Sequence, residues 1–244
     1  MKLSVVIPSY NGWDRLGELC LKIKKSLFNN SRLEDFEIII VDDGSKNRSD
    51  KQIIELRNMG IDVKGVFLNK NYGQQLATLA GLRNVRGDYI ITLDDDLSHN
   101  PENFAELLLE IENKNFDAVF GIPQKSRTGL IRKSGSGIRD IIFNVFFNKP
   151  KKVYVSSFRI LNRSLVDKIV NDISEYRYLS VEILKHTQAI GNIQVVYNRE
   201  SGKNSRYGFI QLSLLAFSLI SCSLIFPKII RKSKIASEMK WELI

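Results

Sequence analysis

The 244-residue chain contains few cysteines, prolines and histidines. Its two cysteines, Cys20 and Cys222, lie far apart in the sequence, which argues against a disulfide framework or a cysteine-based zinc site and fits a reducing compartment. With only 5 prolines, 43% hydrophobic residues and 26% charged residues, the composition excludes collagen-like and disordered classes. The length allows one large domain or two small ones.

Two glycine-rich nucleotide signatures are also missing. No G-x-G-x-x-G follows the first apolar run, and G-x-x-x-x-G-K-[ST] occurs nowhere, which argues against a dinucleotide oxidoreductase and a P-loop ATPase. The N-terminal stretch MKLSVVIPSY has one lysine and a short apolar run that reaches a proline. Because this is not the pattern of a signal peptide, we expect a cytoplasmic chain.

The net charge of +9 is concentrated in the second half of the chain. Residues 124–152 contain eight basic residues against one acidic residue, and residues 199–244 contain eight against three. Both stretches adjoin apolar sequence, IIFNVFF in the first and FIQLSLLAFSLISCSLIF in the second. Nucleic-acid readers usually interleave aromatic and basic residues on a polar surface, so the pattern favours membrane phosphates over nucleic acid as the partner.

The first half alternates β-branched runs with amphipathic stretches. The predicted strands are Leu3–Ile7, Glu37–Val41, Val63–Leu68, Tyr89–Leu93 and Ala118–Phe120. Apolar residues at helical spacing predict helices over Trp13–Phe28, Asp50–Met59, Gln74–Asn84 and Pro101–Asn113. Strands that alternate with helices predict an α/β fold with a mostly parallel sheet covered on both faces.

Small and polar residues follow four of these strands. They are Pro8–Gly12, Asp42–Ser45, Asn69–Gly73 and Asp94–Asp96. Each motif alone is also typical of an ordinary turn or helix cap. Because ligands of open parallel sheets bind beyond the carboxyl ends of the strands, the four motifs together predict one cleft.

The three aspartates Asp94, Asp95 and Asp96 directly follow the apolar run IITL. Like charges at a strand end repel one another, and a divalent cation removes that cost. Carboxylate oxygens favour Mg²⁺ or Mn²⁺, which commonly bridge protein carboxylates to the phosphates of a substrate. The motif therefore predicts a divalent metal ion at these three aspartates.

Several segments occur together in a specific order: VVIPSYN, IIIVDDGS, LNKNYGQQLATLAGLRNVRGDYIITLDDDL, SSFRILNRSLVDKI and RESGKNSRY. They resemble the GT-A fold glycosyltransferases of family 2, and specifically the polyprenyl-phosphate branch, which includes dolichol-phosphate mannose synthase and bacterial undecaprenyl-phosphate sugar transferases. The resemblance covers nearly the whole chain. It implies a GT-A sheet flanked by helices, followed by an amphipathic or membrane-associated helix near the C-terminus.

The resemblance also implies roles for residues of the donor site. Pro8 and Tyr10 line the nucleoside pocket, and Asp42 or Asp43 accepts a hydrogen bond from the base or ribose. Asp94 and Asp96 form the Asp-x-Asp pair on the metal and the sugar diphosphate, with Asp95 beside them in the donor site. The family usually has Asp-Ala-Asp-Leu-Gln where this chain has Asp94–Ser98, and Asn-Glu where it has Asn11-Gly12.

Basic residues of the second half are expected to meet phosphates. Arg132 and Ser136 are four residues apart and so on one face of a helix, and they resemble the pair that receives the lipid phosphate. By the same resemblance, the residues expected to neutralise other phosphates are Arg127, Arg159 and Arg199.

The implied function is inverting transfer of a sugar from a nucleotide-sugar to polyprenyl phosphate, with undecaprenyl phosphate as the acceptor in a bacterium. A lipid phosphate is already an anion, so its attack needs positioning more than a general base. Two alternatives stay open. The acceptor is a hydroxyl of a lipid-linked or surface polysaccharide, or the chain is a non-catalytic nucleotide-sugar binding subunit at a membrane.

We divide the chain into a glycosyltransferase domain, residues 1–200, and a basic, apolar membrane-associating segment, residues 201–244. Within the segment, residues 209–226 are 18 uncharged residues, the lower edge of a membrane-spanning length. Several serines and basic residues at both ends favour an in-plane helix over a single span or a buried core helix. We therefore expect a peripheral protein on the inner face of the membrane.

Overall fold

The computed structural model describes residues 1–28, 30–48, 50–124, 150, 153–172, 178–197 and 240–244. Several sequence predictions fall outside these ranges. They are the phosphate-contacting residues Arg127, Arg132, Ser136 and Arg199, and the predicted membrane-associated helix over 209–226. The domain boundary between residues 200 and 201 also falls there, and it stays a prediction.

The strands and helices predicted for the first half are confirmed. The strands are β1 (Lys2–Ser9), β2 (Asp35–Asp42), β3 (Val63–Leu68), β4 (Tyr89–Thr92) and β5 (Ala118–Pro123). The helices are α1 (Trp13–Phe28), α2 (Asp50–Asn58), α3 (Gln74–Leu82) and α4 (Phe104–Asn113), the last preceded by a 3₁₀ turn over Pro101–Asn103. Pro101 suits the start of that turn because its fixed φ is already helical and the missing N–H costs nothing there.

The second half adds shorter elements. They are β6 (Arg159–Asn162), α5 (Arg163–Asn171), α6 (Leu179–His186), β7 (Ile190–Val195) and β8 (Trp241–Leu243). Asn162 is the N-cap of α5, and its side chain accepts a hydrogen bond from the N–H of Leu165. Among the described ranges, no helix is long and apolar enough to span a bilayer.

The described strands form one sheet in the order β7-β5-β6-β4-β1-β2-β3-β8. Strands β1 to β4 are parallel, whereas β6 and β8 run antiparallel to their neighbours. The prediction of a mostly parallel sheet is confirmed. Two antiparallel strands, β6 between β4 and β5 and β8 at the outer edge, complete it.

Both faces of the sheet are buried, which explains the continuous apolar runs of its central strands. Val5 and Ile7 of β1 point to one face, where they join a core cluster with α1, α2 and α4. Val6 points to the other face, where it joins a cluster with α3, α5 and α6. Burial on alternating faces is what fixes the register of β1 against β2 and β4.

Strand β1 lies where the winding direction of the sheet reverses. From β1 the chain moves outward through β2 to β3, and it then returns to place β4 on the opposite side of β1. A crevice opens beyond the carboxyl ends of two strands whose connections leave in opposite directions. The ends of β1 and β4 meet at this point.

Candidate active site

A cavity of about 320 Å³ lies beyond the carboxyl ends of β1, β2 and β4. It is lined by a proline, three uncharged polar residues and four aspartates: Pro8, Ser9, Tyr10, Asp43, Gln74, Asp94, Asp95 and Asp96. Six of these were predicted as site residues from the sequence. The fold therefore brings the motifs after β1, β2 and β4 to one place.

Asp94 is held from two sides. Its Oδ1 accepts a hydrogen bond from Gln74 Nε2 at 2.5 Å, and its Oδ2 accepts one from Ser157 Oγ at 2.7 Å. Gln74 is the first residue of α3, and Ser157 precedes β6. Because both oxygens are engaged, the carboxylate has a fixed orientation at the end of β4.

Asp95 turns toward β1 and α1. Its Oδ2 accepts a hydrogen bond from Ser9 Oγ at 2.5 Å, and its Oδ1 lies 3.6 Å from a guanidinium nitrogen of Arg15. Burial raises the pKa of Asp95, and the contacts with Ser9 and Arg15 oppose that rise. The side chain lines the cavity, and its hydrogen-bond partner differs from those of Asp94.

Asp96 begins a tight turn. Its Oδ1 accepts a hydrogen bond from the N–H of Ser98 at 3.0 Å, and the residue between them, Leu97, has a φ of 60°. A left-handed backbone is unfavourable for a leucine, and such strain clusters at functional sites. The three successive aspartates thus have three different sets of hydrogen-bond partners.

The two aspartates that end β2 have different surroundings. Asp43 lines the cavity, and its carboxylate accepts hydrogen bonds from the N–H groups of Tyr72 at 2.7 Å and Gly73 at 2.9 Å. Burial raises the pKa of Asp43 against those two donors. Asp42 instead accepts from the N–H of Ser45 at 2.9 Å and lines a neighbouring cavity. Of the two residues left open by the sequence, Asp43 faces the candidate site.

His99 contacts the backbone of the aspartate turn. Its Nδ1 accepts a hydrogen bond from the N–H of Asp94 at 3.3 Å, and its ring stacks on Phe158 with the centroids 5.0 Å apart. Tyr197 meets the other side of the ring edge-on at 5.1 Å. Burial lowers the pKa of His99 although Asp94 and Asp96 oppose this, so the imidazole is neutral and acts as an acceptor.

Sequence reasoning missed Gln74 and Ser157 as parts of the site, and it considered His99, beside the aspartates, without assigning it to the site. Gln74 follows the predicted motif Asn69–Gly73 directly, and His99 comes three residues after Asp96, so their positions were the available signal. Ser157 lies far along the chain, and the antiparallel pairing of β6 with β4 brings it to Asp94. That pairing was not predictable from local periodicity.

Arg159 lies within the sheet. It is only 4% exposed, and its guanidinium donates hydrogen bonds to Thr92 Oγ1 at 3.0 Å and to Ser180 Oγ at 2.9 Å. The same guanidinium lies 5.8 Å from the ring centroid of Phe120. Arg159 therefore joins β4, β5, β6 and α6, and its predicted contact with a phosphate stays a prediction.

The aspartates suit a metal ion that is shared with a substrate. Within the described ranges, no three His, Cys, Asp or Glu side chains are grouped to hold a metal by themselves. Mg²⁺ and similar hard cations instead take one or two carboxylates and complete their shell with water and substrate phosphates. Asp94 and Asp96 at an open cavity provide the oxygen donors that such a site needs.

Comparisons with known proteins show the family of the chain. Residues 4–186 match the family described as glycosyl transferase family 2. An undecaprenyl-phosphate 4-deoxy-4-formamido-L-arabinose transferase of Klebsiella pneumoniae (strain 342) is 31% identical over 222 residues, which cover 91% of this chain and 67% of the relative. The corresponding transferase of Salmonella choleraesuis is 29% identical over the same coverage.

Solved structures share the fold. Glucosyl-3-phosphoglycerate synthase from Mycobacterium tuberculosis, crystallised with Mn²⁺, UDP-glucose and phosphoglyceric acid, has a TM-score of 0.65 at 16% identity, covering 93% of this chain and 81% of that one. S. aureus TarS in complex with UDP-GlcNAc has a TM-score of 0.59 at 20% identity, covering 91% and 67%. The match over residues 4–186 shows that the chain belongs to glycosyl transferase family 2 and is a glycosyltransferase, and the shared fold is consistent with it.

Proposed function

We propose that the protein is an inverting glycosyltransferase that moves a sugar from a nucleotide-sugar to undecaprenyl phosphate. The observation that carries the proposal is the cavity in which Asp43 and the three aspartates after β4 meet the end of β1. The names of the relatives at about 30% identity support a lipid-phosphate acceptor. The UDP-sugar complexes of two structural neighbours support a nucleotide-sugar donor.

The donor side of the reaction follows from the cavity. Asp43 presents a carboxylate that two backbone N–H groups hold in place, and its free lone pairs accept from the nucleoside. Asp94 and Asp96 would hold Mg²⁺ or Mn²⁺, and the bound ion would supply positive charge to stabilise a leaving diphosphate. Gln74 and Ser157 keep Asp94 oriented, so little reorganisation is needed during the reaction.

The acceptor side rests on the basic segments. Arg132 and Ser136 receive the lipid phosphate, while Arg127 and Arg199 neutralise further phosphate charge. A phosphate oxygen attacks the anomeric carbon from the face opposite the diphosphate, and the electrons of the broken C–O bond leave with the diphosphate. Attack from the opposite face inverts the anomeric centre. The acceptor is already an anion, so no general base is required.

The location follows from the acceptor. A polyprenyl phosphate stays in the bilayer, so the enzyme works at a membrane surface. Within the segment 201–244, the apolar run 209–226 as an in-plane helix, together with basic residues that attract anionic lipid, attaches the protein peripherally at the inner face.

The test is a transfer assay with two matched acceptors. The purified full chain with Mn²⁺ is given a panel of nucleotide-sugars together with undecaprenyl phosphate or undecaprenol, which differ only in the phosphate. We expect one donor to give nucleoside diphosphate and a lipid-extractable sugar with undecaprenyl phosphate alone, and NMR of the product to show the inverted anomer. Equal transfer to undecaprenol would establish a hydroxyl acceptor. Donor binding without any turnover would establish a non-catalytic subunit.

A further inference from the structure

The last residues of the chain join the sheet next to the candidate site. Strand β8 pairs antiparallel with β3, placing Trp241 opposite Leu68. Gly65 and Ile244 exchange two backbone hydrogen bonds of 2.9 Å, which extend the pairing beyond the strand. Because β3 runs toward the cavity edge of the sheet and β8 runs the opposite way, β8 begins at that edge.

One side chain of β8 is tied to the loop that follows β2. The carboxylate of Glu242 lies 2.7 Å from Arg48 Nη1, and Arg48 Nε lies 2.6 Å from Asp50. The guanidinium of Arg48 also stacks on Phe67, 4.0 Å from the ring centroid. Three groups therefore hold Arg48, and β8 supplies one of them.

The same loop holds the turn that follows β1. Ser45 Oγ accepts a hydrogen bond from the N–H of Asn11 at 2.8 Å, and the N–H of Lys46 donates to Asn11 Oδ1 at 3.1 Å. Asn11 has a φ of 54°, a left-handed conformation that side chains seldom adopt without such support. Tyr10, its neighbour, lines the donor cavity.

We propose that β8 is a positioning element of the donor site and that Glu242 and Arg48 are positioning residues for it. The contacts run from Glu242 through Arg48 to the loop that carries Asp43, and from that loop through Asn11 to Tyr10. Asp94 lies further along, since the path from Asp43 to it passes through Gly73 and Gln74. Loss of β8 docking should therefore weaken donor binding and leave the chemical step unchanged. The inference rests on the proposed function, because it assigns this cavity to the donor.

The experiment compares substitutions of two exposed, ion-paired glutamates. The side chain of Glu242 is 64% exposed, and that of Glu34 is 74% exposed. Glu34 pairs with the N-terminal amine at the amino end of β1, away from the cavity. We expect Glu242→Gln to raise the donor KM about two- to fivefold, the range of an exposed ion pair, with kcat unchanged. Glu242→Pro, which also removes a ladder hydrogen bond, should raise KM roughly tenfold. Glu242→Asp should restore the KM of the wild type, and Glu34→Gln should have no effect.

Two results would overturn the proposal. Either Glu242→Pro leaves the donor KM unchanged, or Tm, kcat and KM all worsen together, as a merely structural role requires. Calorimetric binding of UDP, GDP, CDP and dTDP with Mn²⁺ separates this inference from the proposed function. If the protein transfers no sugar but binds one of them with an affinity that Glu242→Pro reduces, the proposed function fails and this inference stands. If the wild type binds none of them, the inference fails too.

Discussion

The carboxylate of Asp95 occupies the space that a side chain on Gly12 would need. A Cβ built on Gly12 would lie 2.0 Å from Asp95 Oδ2 and 2.5 Å from Ser9 Oγ. The family usually has a glutamate at the position of Gly12 and an alanine at that of Asp95. The two departures of this chain from the family pattern therefore lie against each other, and the small residue makes room for the additional carboxylate.

Gly12→Ala should displace Asp95 from Ser9. We expect activity to fall about tenfold, since a hydrogen bond to a charged group contributes roughly 1.5 kcal/mol or more, and stability to fall by about 1–2 kcal/mol through overpacking. Gly17→Ala in α1 is the matched control, because nothing lies within 4 Å of its added Cβ. Gly17→Ala should stabilise by about 0.5–1 kcal/mol with unchanged activity. Urea unfolding and turnover measure both, and equal behaviour of the two variants would contradict the steric account.

A buried carboxylate, Glu37, stabilises the sheet on the side away from the cavity, near the amino ends of the central strands. Glu37 is 3% exposed, and it accepts hydrogen bonds from Ser4 Oγ at 2.7 Å and from Arg86 Nε and Lys64 Nζ, each at 2.9 Å. Burial acts to raise its pKa, but the hydrogen bonds from Ser4, Lys64 and the Arg86 backbone hold it below the usual 4.5. The folded state therefore favours the charged form.

Glu37→Gln should destabilise the protein by roughly 2 kcal/mol at pH 7, because buried donors lose a charged acceptor. The stability that comes from a lowered pKa is fully present above the unfolded value of about 4.5 and is lost as the pH falls through the folded value. The difference in the free energy of unfolding between the wild type and Glu37→Gln should consequently become smaller below pH 4.5. Urea unfolding at several pH values checks this, and a gap independent of pH would show that the charge is irrelevant.

Cys20 should be unreactive in the folded protein. It is fully buried in α1, and burial raises the pKa of its thiol to about 12. Only the thiolate attacks disulfide reagents, so labelling at pH 8 should require unfolding. We expect a Cys222→Ser variant to react with such a reagent only in denaturant, at a rate that follows global unfolding. Rapid labelling in native buffer would show that α1 opens locally.

Membrane attachment should depend on salt. The in-plane interpretation of residues 209–226 predicts that high-salt or alkaline washing releases much of the protein, because each nearby basic residue contributes on the order of 1 kcal/mol that salt screens. Glutamine at four basic positions should weaken binding further: Lys228, Arg231, Lys232 and Lys234. The charge-matched control replaces four exposed lysines elsewhere, Lys25, Lys51, Lys114 and Lys185. Complete retention through alkaline extraction would favour a spanning helix, and complete solubility without lipid would favour a buried one.

Local periodicity was enough to predict the first half of the fold. The predicted strand Val63–Leu68 and helix Trp13–Phe28 coincide with β3 and α1, because short, mainly apolar runs and amphipathic spacing are local properties. Strand β8 was not predictable in this way. It has three residues, and only its distant partner β3 makes it a strand.

In the candidate site, too, the parts set by local sequence were predictable and the parts set by distant pairing were not. The motifs that contain Asp42, Asp43 and Asp94–Asp96 were predicted to share a cleft because they directly follow buried strands, and parallel strands end at one edge. The supporting contact from Ser157 depends on the antiparallel pairing of β6 with β4, which sequence spacing does not encode. Arg159 shows a second limit. The sequence alone does not reveal that the side chain of this arginine is buried in the sheet.

The most direct test of the account compares two aspartate substitutions in the transfer assay. Asp96 lines the cavity. Asp88 instead lies at the amino ends of β1 and β4, where its Oδ2 accepts a hydrogen bond from the N–H of Lys2 at 2.8 Å. With Mn²⁺ and undecaprenyl phosphate, we predict that Asp96→Asn lowers the rate of sugar transfer roughly 100-fold with an unchanged Tm. Asp88→Asn should keep full activity. Excess chelator should stop sugar transfer by the wild type. Full turnover by Asp96→Asn, or by the wild type in excess chelator, would contradict a metal-assisted reaction at this cavity.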